Sequence, residues 1–276
     1  MEDSLILCPK CRQPFLNIGL ESAICPKEHK FKIDEGVLVL APDYLIEEKF
    51  SWSRKLRDPQ QNLAFDKKRS VLAKKKSRKI TEDKNDYIIK KIPKKDVTLL
   101  DIATGRGLLL RQMYPALQDS TFYLNDISTH VLVGTNKLVK PLQRSNKSIP
   151  VQSSATDLPF DNSSLKIVTC FAPKNIEPTI KAFQEIFRIL KKGGRFIYST
   201  TLFEKGSPSH KYTIEKEGGS SNLELIDKWQ AEVEKVGFKI KDYKVIFDGP
   251  AEKIPLDVFP RVSGERYQHV GVTLAK

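Results

Sequence analysis

The chain has 276 residues, of which 39% are hydrophobic and 29% charged, and its 47 basic and 34 acidic side chains give a net charge of +13. These proportions exclude a wholly disordered chain, and four cysteines are too few for a disulfide scaffold. No apolar run approaches the ~20 residues that cross a bilayer, and the first residues lack the pattern of a signal peptide, so we expect a cytoplasmic protein without membrane segments.

Residues 1–42 are predicted to form a small zinc-ribbon-like domain with its own core. Cys8 and Cys11 form a Cys-x-x-Cys pair, and Cys25 and His29 form a second pair after thirteen intervening residues. Four such ligands on two turns suit a tetrahedral, structural Zn²⁺ site that stabilises so short a segment. A redox-active motif and unligated thiols are the alternatives, although the prolines near the first pair disfavour the helix of a redox motif.

Residues 43–95 are predicted to form a basic helical linker. Residues 51–100 contain sixteen basic and six acidic side chains, and the excess is densest from Lys67 to Lys79, which we call the basic stretch. A polyanion such as RNA would be attracted to the basic stretch by counterion release and long-range electrostatics. The alternative is a solvated helix face that binds no partner.

Residues 96–276 alternate between strand-like and helix-like segments, which is typical of a parallel sheet with crossover helices. The predicted fold is therefore α/β, a Rossmann-like sheet of seven mostly parallel strands with helices on both faces. The strands are expected at Val97–Ala103, Thr121–Asn125, Ile149–Ser153, Ile167–Phe171, Arg195–Thr201, Phe238–Phe247 and Tyr267–Leu274. Helices are expected at about 107–118, 128–140, 178–191 and 222–236, with a polar loop at 204–221. Cys170 would be a core residue of the fourth strand.

A glycine-containing turn follows the first of these strands. Asp101 precedes Ala103, Gly105 and Gly107, and a second aspartate, Asp126, ends the next strand. Glycine lets the backbone approach a ligand closely, and a carboxylate at the second position suits a ribose diol because it accepts two hydroxyl hydrogen bonds. The third glycine of the dinucleotide fingerprint is absent, and the charge of Asp101 would repel a pyrophosphate but attract a sulfonium and its amino group. The turn therefore predicts a nucleoside-containing cofactor.

Residues 97–202 resemble the class I S-adenosylmethionine-dependent methyltransferases. Their first motif, Asp-x-Gly-x-Gly-x-Gly, is matched from Asp101 onward, except that Ala103 replaces the first glycine. The segments 155–163 and 185–194 resemble two later motifs of the family. The resemblance implies S-adenosylmethionine as the cofactor and assigns its adenine amino group to Asp157. The cofactor-binding residues are then Asp101, Ala103, Gly105, Gly107, Asp126, Asp157 and Leu158.

Together with the cysteine cluster, this domain resembles the ribosomal RNA guanine-N1 methyltransferases. The likeness lies in the two Cys/His pairs, in Phe31, in the run Glu35–Leu40 and in Phe171-Ala172-Pro173. That family implies a base in structured RNA as the methyl acceptor, held by the ribbon and the basic stretch. The run 33–40 also resembles small zinc-ribbon proteins that activate methyltransferase partners.

Two other functions remain open. One is a small-molecule methyltransferase whose zinc ribbon is a lid or docking surface, and the other is a cofactor-binding adaptor without catalysis, which Ala103 and an unusual Leu165-Lys166 allow. Proton removal from the acceptor would need a base, but no residue stands out, and His130, His210 and His269 are expected to be bystanders. The sequence thus favours a methyltransferase with an RNA acceptor and assigns no catalytic residue.

Overall fold

The computed structural model describes residues 5–41, 51–173, 176, 178–216, 222–257 and 259–276. The strands are β1 (Asn17–Ile18), β2 (Ser22–Ile24), β3 (Lys30–Asp34), β4 (Val37–Val39), β5 (Thr98–Ile102), β6 (Thr121–Asp126), β7 (Lys147–Gln152), β8 (Leu165–Cys170), β9 (Leu190–Phe203), β10 (Lys239–Pro250) and β11 (Arg266–Ala275). The α-helices are α1 (Pro59–Leu72), α2 (Lys75–Lys90), α3 (Leu110–Ala116), α4 (Thr129–Val139), α5 (Thr179–Ile189), α6 (Pro208–Lys216) and α7 (Trp229–Val236). A 3₁₀ helix covers Ser51–Arg57. Among these described segments, no helix combines the length and apolar character needed to span a membrane.

One mixed sheet runs through the described residues in the order β1-β2-β3-β4-β7-β6-β5-β8-β9-β11-β10. The strands from β4 to β9 in this row pair in parallel, and β11 lies antiparallel between β9 and β10. The strand order reverses around β5, so the carboxyl ends of β5, β6 and β8 border the crevice where such sheets bind ligands. The α/β fold is confirmed. The number of seven strands is wrong, because the N-terminal strands join the same sheet and raise the number to eleven in the described chain.

The N-terminal ribbon, residues 5–41, continues the main sheet instead of standing apart from it. Strand β4 pairs in parallel with β7, with Leu38 opposite Val151. Ile6, Leu38 and Leu40 are buried in the same hydrophobic cluster as Leu100 of β5. The expected separate core is therefore wrong, because the short ribbon buries its apolar side chains against the larger domain. The domain boundary at residue 42 stays a prediction.

Helices cover both faces of the sheet. On one face α2, α3 and α4 contribute Ile88, Met113 and Leu132 to a buried cluster. On the other face α5 and α7 contribute Phe183 and Val233 to the second cluster. Each helix has apolar side chains at a spacing of three and four residues, which places them on the side that packs against the sheet.

Three element boundaries differ from the predicted ones. The predicted loop at 204–221 contains α6, which is anchored because Ser209 N–H donates to the Glu265 carboxylate at 2.9 Å; residues 217–221 lie outside the described residues. The predicted helix at 222–236 is a 3₁₀ turn followed by α7, which begins at Trp229. Strand β9 begins at Leu190, within the predicted helix 178–191, because Leu190 already pairs with Leu165 of β8.

Residues 59–90 form two helices that pack on the domain. Helix α1 begins with Pro59, and the Asp58 carboxylate caps it by accepting the N–H of Gln60 at 2.8 Å. In α2 the Tyr87 hydroxyl lies 3.0 Å from Thr273 Oγ1, and its ring covers Gly271 so closely that a Cβ there would lie 2.4 Å from a ring carbon. This segment is thus part of the folded domain, while residues 43–50 of the predicted linker lie outside the described residues.

Candidate functional site

The turn after β5 has an unusual backbone. Ala103, Gly105 and Gly107 have positive φ angles of 48°, 55° and 70°. The Thr104 N–H donates to the Asn125 carbonyl at 3.0 Å and so ties the turn to the end of β6. A Cβ on Gly107 would lie only 2.8 Å from the Thr135 methyl group, so only glycine allows α4 to pack this closely. The sequence-predicted glycine turn therefore lies at the crevice of the sheet.

Asp126, the predicted ribose ligand, lies directly beside this turn. Its carboxylate accepts the Gly105 N–H at 2.9 Å and the Ser128 N–H at 3.0 Å. Burial of the carboxyl group raises its pKa. Each carboxylate oxygen has two lone pairs, so both oxygens keep an acceptor position for the hydroxyls of a diol.

Asp101 is more deeply placed at the end of β5, with 2% of its surface exposed. Its carboxylate accepts the Thr169 hydroxyl of β8 at 2.7 Å. Burial raises the pKa of Asp101 to about 7, and the nearby charge of Asp126 acts in the same direction. A cationic ligand beside Asp101 would favour its ionised form and lower this pKa.

Asp157 and Leu158, two of the predicted cofactor contacts, bond to residues that sequence reasoning missed. The Arg12 guanidinium forms an ion pair with the Asp157 carboxylate and donates to the Leu158 carbonyl at 3.0 Å. The Leu158 N–H donates to the Glu185 carboxylate at 2.9 Å. Arg12 directly follows Cys11 in the sequence, and this adjacency to the cysteine turn was the available signal. The ribbon therefore contacts the end of the site that is predicted to bind adenine.

The four predicted metal ligands converge. The ligand atoms of Cys8, Cys11, Cys25 and His29 all lie within 4.8 Å of one another. The Cys11 and Cys25 sulfurs are 3.5 Å apart, and His29 Nδ1 is 3.5 Å from Cys8 Sγ and 3.4 Å from Cys25 Sγ. Zn–S and Zn–N bonds of about 2.3 and 2.0 Å require ligand separations of roughly this size in a tetrahedron. The thiolate and imidazole donors therefore fit Zn²⁺ in chemistry and in spacing.

Helix α1 covers the outer side of the glycine turn. The Asp66 carboxylate accepts from Arg106 Nε at 2.9 Å and also binds Arg111. The Phe65 ring stacks on the Arg106 guanidinium, 4.2 Å from its central carbon. The segment that the sequence predicts as a linker is therefore bonded to the predicted cofactor-binding turn.

Much of the basic stretch makes contacts within the chain. Three of these contacts reach β10 or the loop that follows it, and the fourth lies within α2. Arg69 pairs with Asp257 (2.7 Å), Lys74 with Glu252 (3.1 Å) and Lys79 with Asp83 (2.6 Å), and the Lys76 ammonium lies 4.4 Å from the centre of the Phe247 ring. The stretch thus helps to attach the two helices to the domain.

A buried lysine lies at the end of β8. Lys84 of α2 is only 7% exposed, and its ammonium is 4.5 Å from the centre of the ring of Phe171, the residue that follows β8. Burial raises the pKa of the Cys170 thiol, the charges of Asp101 and Asp126 raise it further, and the charge of Lys84 opposes them. Cys170 is buried, as predicted. Lys84 was missed, although its spacing from Tyr87 and Ile88 places it on the apolar side of α2.

A separate basic cavity of about 700 Å³ lies where the 3₁₀ helix, α1 and α4 meet, with Arg54, Lys55, Arg57 and Lys137 in its lining. Two of these cations bind the ribbon, since Arg57 and Lys137 each lie 2.6 Å from the Glu35 carboxylate. None of the predicted cofactor contacts lines this cavity. It is therefore a junction between the ribbon and the domain.

Comparison with protein families finds a match for one segment of the chain. Residues 99–194 match the methyltransferase domain family, and this range includes every predicted cofactor contact from Asp101 to Leu158. The mitochondrial 2-methoxy-6-polyprenyl-1,4-benzoquinol methylase of Arabidopsis thaliana is 32% identical in an alignment of 117 residues that covers 36% of this chain and 41% of that protein. The ubiquinone/menaquinone biosynthesis C-methyltransferase UbiE of Rickettsia akari is 28% identical over 117 residues, 41% of this chain and 47% of that protein. The chain therefore spans less than half the length of these curated relatives.

Among solved structures, the geranyl diphosphate C-methyltransferase of Streptomyces coelicolor is similar with a TM-score of 0.51 and 16% identity. The similar region covers 71% of this chain and 74% of that chain. At this identity the similarity shows the fold, and it extends well beyond residues 99–194.

Proposed function

We propose that this chain, whose residues 99–194 match the methyltransferase domain family, transfers a methyl group from S-adenosylmethionine to a small-molecule acceptor. The observation that carries this proposal is the meeting of Asp101, the glycine turn and Asp126 at the reversal of the sheet order. When bound, S-adenosylmethionine supplies a methyl group on a positively charged sulfur. The enzyme's main task is then to align the acceptor with that group.

Five of the seven predicted donor contacts have a stated role in this proposal. Asp126 accepts the ribose hydroxyls, and Asp101 attracts the positively charged methionine end. Asp157 accepts the adenine amino group, and Arg12 orients Asp157 through the ion pair between them. Gly105 and Gly107 give the donor close access to the backbone.

A small-molecule acceptor is favoured over RNA by two lines of support. The names of these proteins refer to a benzoquinol, to the biosynthesis of ubiquinone and menaquinone, and to geranyl diphosphate. All of these compounds are small molecules. In addition, much of the basic stretch is engaged in contacts within the chain. In this proposal the basic stretch mainly holds α1 and α2 against the domain and does not mainly bind phosphates.

An RNA acceptor is the second candidate, and it rests on the resemblance to the guanine-N1 methyltransferases. Lys67, Lys68 and Lys75 are exposed on α1 and α2 and carry no role in the small-molecule proposal. Such side chains would bind RNA with an affinity that falls steeply with salt.

We further propose that Cys8, Cys11, Cys25 and His29 hold one structural Zn²⁺. The support is the convergence of three cysteine thiolates and one histidine imidazole, which have the chemistry and spacing that zinc requires. With four protein ligands the metal has no open position, so its contribution is to the stability of the ribbon. Metal analysis of protein purified from zinc-replete medium should give about one zinc per chain, and protein without metal would contradict this assignment.

Calorimetric titration with S-adenosylmethionine tests the donor site. Asp126→Ala should weaken binding by about 1.5–3 kcal/mol, roughly 10- to 150-fold, because charge-assisted hydrogen bonds to the ribose are lost. Asp161→Ala is the matched control, since Asp161 is an exposed carboxylate of the same domain outside the donor set, and it should bind normally. Equal affinity of both variants would show that Asp126 is not the ribose ligand. Binding of NAD without binding of S-adenosylmethionine would overturn the proposed function.

A further inference from the structure

Helix α1 is attached to the domain mainly by polar side chains. Asn62 has no exposed surface, and its amide group donates to a backbone carbonyl of the 3₁₀ helix at 2.9 Å. Asp66 binds Arg106 of the glycine turn, on which the Phe65 ring also stacks. Arg69 pairs at 2.7 Å with an aspartate of the loop after β10. Residues 62, 66 and 69 recur every three or four positions, so they define the side of α1 that faces the domain.

The opposite side of α1 carries aliphatic side chains. Val71 is 75% exposed, Leu72 41% and Leu63 38%. Leu63, Lys67 and Val71 follow one another at intervals of four residues and form a row along the helix, and Lys68 and Leu72 form a second row. We call these five residues the outer face of α1. A surface helix ordinarily has the reverse arrangement, with its apolar side chains toward the core and its polar ones toward water.

The outer face is also strongly basic. Residues 59–80 contain eight basic side chains and one acidic side chain, Asp66, and Asp66 bonds to the domain. Lys67 and Lys68 are exposed on the outer face, and Lys75 is exposed at the start of α2. Exposed aliphatic side chains that lie together among cations indicate a surface that binds a partner. The partner that fits is negatively charged and offers an apolar phase to Leu63 and Val71.

An anionic lipid surface meets both requirements. At a bilayer interface the aliphatic side chains of a helix enter the boundary of the acyl chains, while lysine stems lie along them and the ammonium groups reach the lipid phosphates. RNA would match the lysines alone, because proteins hold unpaired bases by stacking them on aromatic rings or on arginine. The outer face of α1 contains neither of these residue types.

We propose that the outer face of α1 binds reversibly to the surface of an anionic lipid bilayer. The helix lies along the surface, and Val71, the most exposed of its aliphatic side chains, enters the acyl boundary. Lys67 and Lys68 contact the phosphates on either side of the row that contains Val71. This binding is peripheral and needs no membrane-spanning helix. It does not depend on the identity of the methyl acceptor, so it goes beyond the proposed function.

Cosedimentation of the full chain with lipid vesicles tests this surface. The wild-type protein should bind vesicles of phosphatidylglycerol, and it should bind vesicles of phosphatidylcholine much more weakly. Binding to phosphatidylglycerol should fall as salt is added, because salt screens the attraction between lysine and phosphate. Lys67→Gln and Lys68→Gln should weaken this binding by about fivefold each, which is the contribution of one basic side chain beside an anionic membrane.

The aliphatic half of the surface is tested without a change in charge. Leu63→Gln combined with Val71→Gln should weaken vesicle binding by about tenfold or more, because apolar side chains no longer enter the bilayer. Ile214→Gln is the matched control, since Ile214 is 45% exposed on another helix, α6. Lys191→Gln combined with Lys192→Gln, both exposed at the start of β9, is the control for charge. Neither control should change vesicle binding, and all variants should keep the wild-type melting temperature.

Three results overturn the proposal. The first is a wild-type protein that binds neither kind of vesicle. The second is a Leu63→Gln, Val71→Gln variant that binds phosphatidylglycerol vesicles as tightly as the wild type, since the outer face would then attract lipid by charge alone. The third is binding of polyuridine RNA that requires Lys67 and Lys68 but neither aliphatic side chain, without binding to vesicles, which would assign the outer face to RNA.

Discussion

Ala103 occupies a left-handed backbone conformation, with a φ of 48°. The class I methyltransferases that the chain resembles have glycine at this position. Such a conformation costs alanine roughly 1–2 kcal/mol. Glycine avoids this strain but loses about 0.5–1 kcal/mol more in chain entropy on folding. We therefore expect Ala103→Gly to raise the free energy of unfolding by about 0.5–1 kcal/mol in urea denaturation.

The matched control for this substitution is Ala64→Gly, on an exposed position within α1. There the backbone is helical, so glycine should lower the free energy of unfolding by about 1 kcal/mol. Destabilisation by both substitutions would show that Ala103 is not strained.

Asp101 makes stability depend on pH. Its ordinary pKa is 3.8, and burial raises it to about 7 in the folded chain. Between these values the folded state binds more protons than the unfolded state, so the contribution of Asp101 is fully present below about pH 4 and is lost as the pH rises through 7. Asp101→Asn, which cannot ionise, should therefore gain thermal stability relative to the wild type as the pH is raised from 5 to 8.

The ionisation of Asp101 should also make the affinity for S-adenosylmethionine depend on pH. Because the donor is cationic, it favours the ionised carboxylate, and its affinity for the wild type should rise through pH 7. In Asp101→Asn this part of the pH dependence should vanish, leaving any contribution of Asp126, whose pKa burial also raises. A wild-type affinity that is constant from pH 6 to 8 would contradict the assignment of Asp101.

At the scale of single residues, the sequence predicts those site residues that belong to a local sequence pattern. Asp101 and Asp126 were found because each ends an apolar strand beside a glycine turn. Arg12 was missed because its partner Asp157 is 145 positions away. The placement of His269 opposite Thr201 could not be predicted either, because it follows only from the pairing of β9 with β11.

At the scale of elements, the ribbon and the donor site are linked by shared structure. The ribbon extends the sheet, shares its hydrophobic cluster, and presents Arg12 to Asp157. Arg12 N–H donates to the Cys8 carbonyl at 2.8 Å, so its backbone belongs to the cysteine turn. Removal of the proposed Zn²⁺ by a chelator should therefore lower the melting temperature of the whole chain in one transition and weaken donor binding.

Arg12→Ala separates the two effects. It should weaken donor binding by about threefold, since the ion pair with Asp157 is exposed, and it should leave zinc content and melting temperature nearly unchanged. Lys10→Ala, on the same turn but without contact to Asp157, is the control. Two separate melting transitions after chelation, with unchanged donor affinity, would contradict this link.

The elements themselves were predictable to different degrees. Each of the seven strands from β5 to β11 was predicted, because each contains apolar or β-branched residues that are bounded by turn or helix signals. The joining of β4 to β7 was not predicted, because a three-residue strand has too little pattern to specify a partner more than 110 residues away. Helix α6 was missed because its segment is polar and its anchors, Glu265 and Tyr267, lie in a distant part of the chain.

At the scale of the whole molecule, the net charge of +13 is a weaker guide to the acceptor than it first suggests. The sequence predicts the excess in residues 51–100 but not its use, because the acidic partners Glu252 and Asp257 come from the far end of the chain. The charge therefore serves in part to bind α1 and α2 to the domain. Lys67, Lys68 and Lys75 of the basic stretch are exposed. Substituting them therefore distinguishes an RNA acceptor from a small-molecule acceptor.

Methyl transfer from radiolabelled S-adenosylmethionine to a fractionated cell extract tests the central claim most directly. We predict that the purified protein labels the small-molecule fraction and leaves the RNA fraction unlabelled, and that Lys67→Gln, Lys68→Gln and Lys75→Gln together change the rate by less than about twofold. Asp126→Ala should lose most of the labelling because it binds the donor poorly. Label in the RNA fraction that falls with salt and with the triple lysine variant would contradict the small-molecule acceptor, and absence of label from every fraction would contradict the methyltransferase activity.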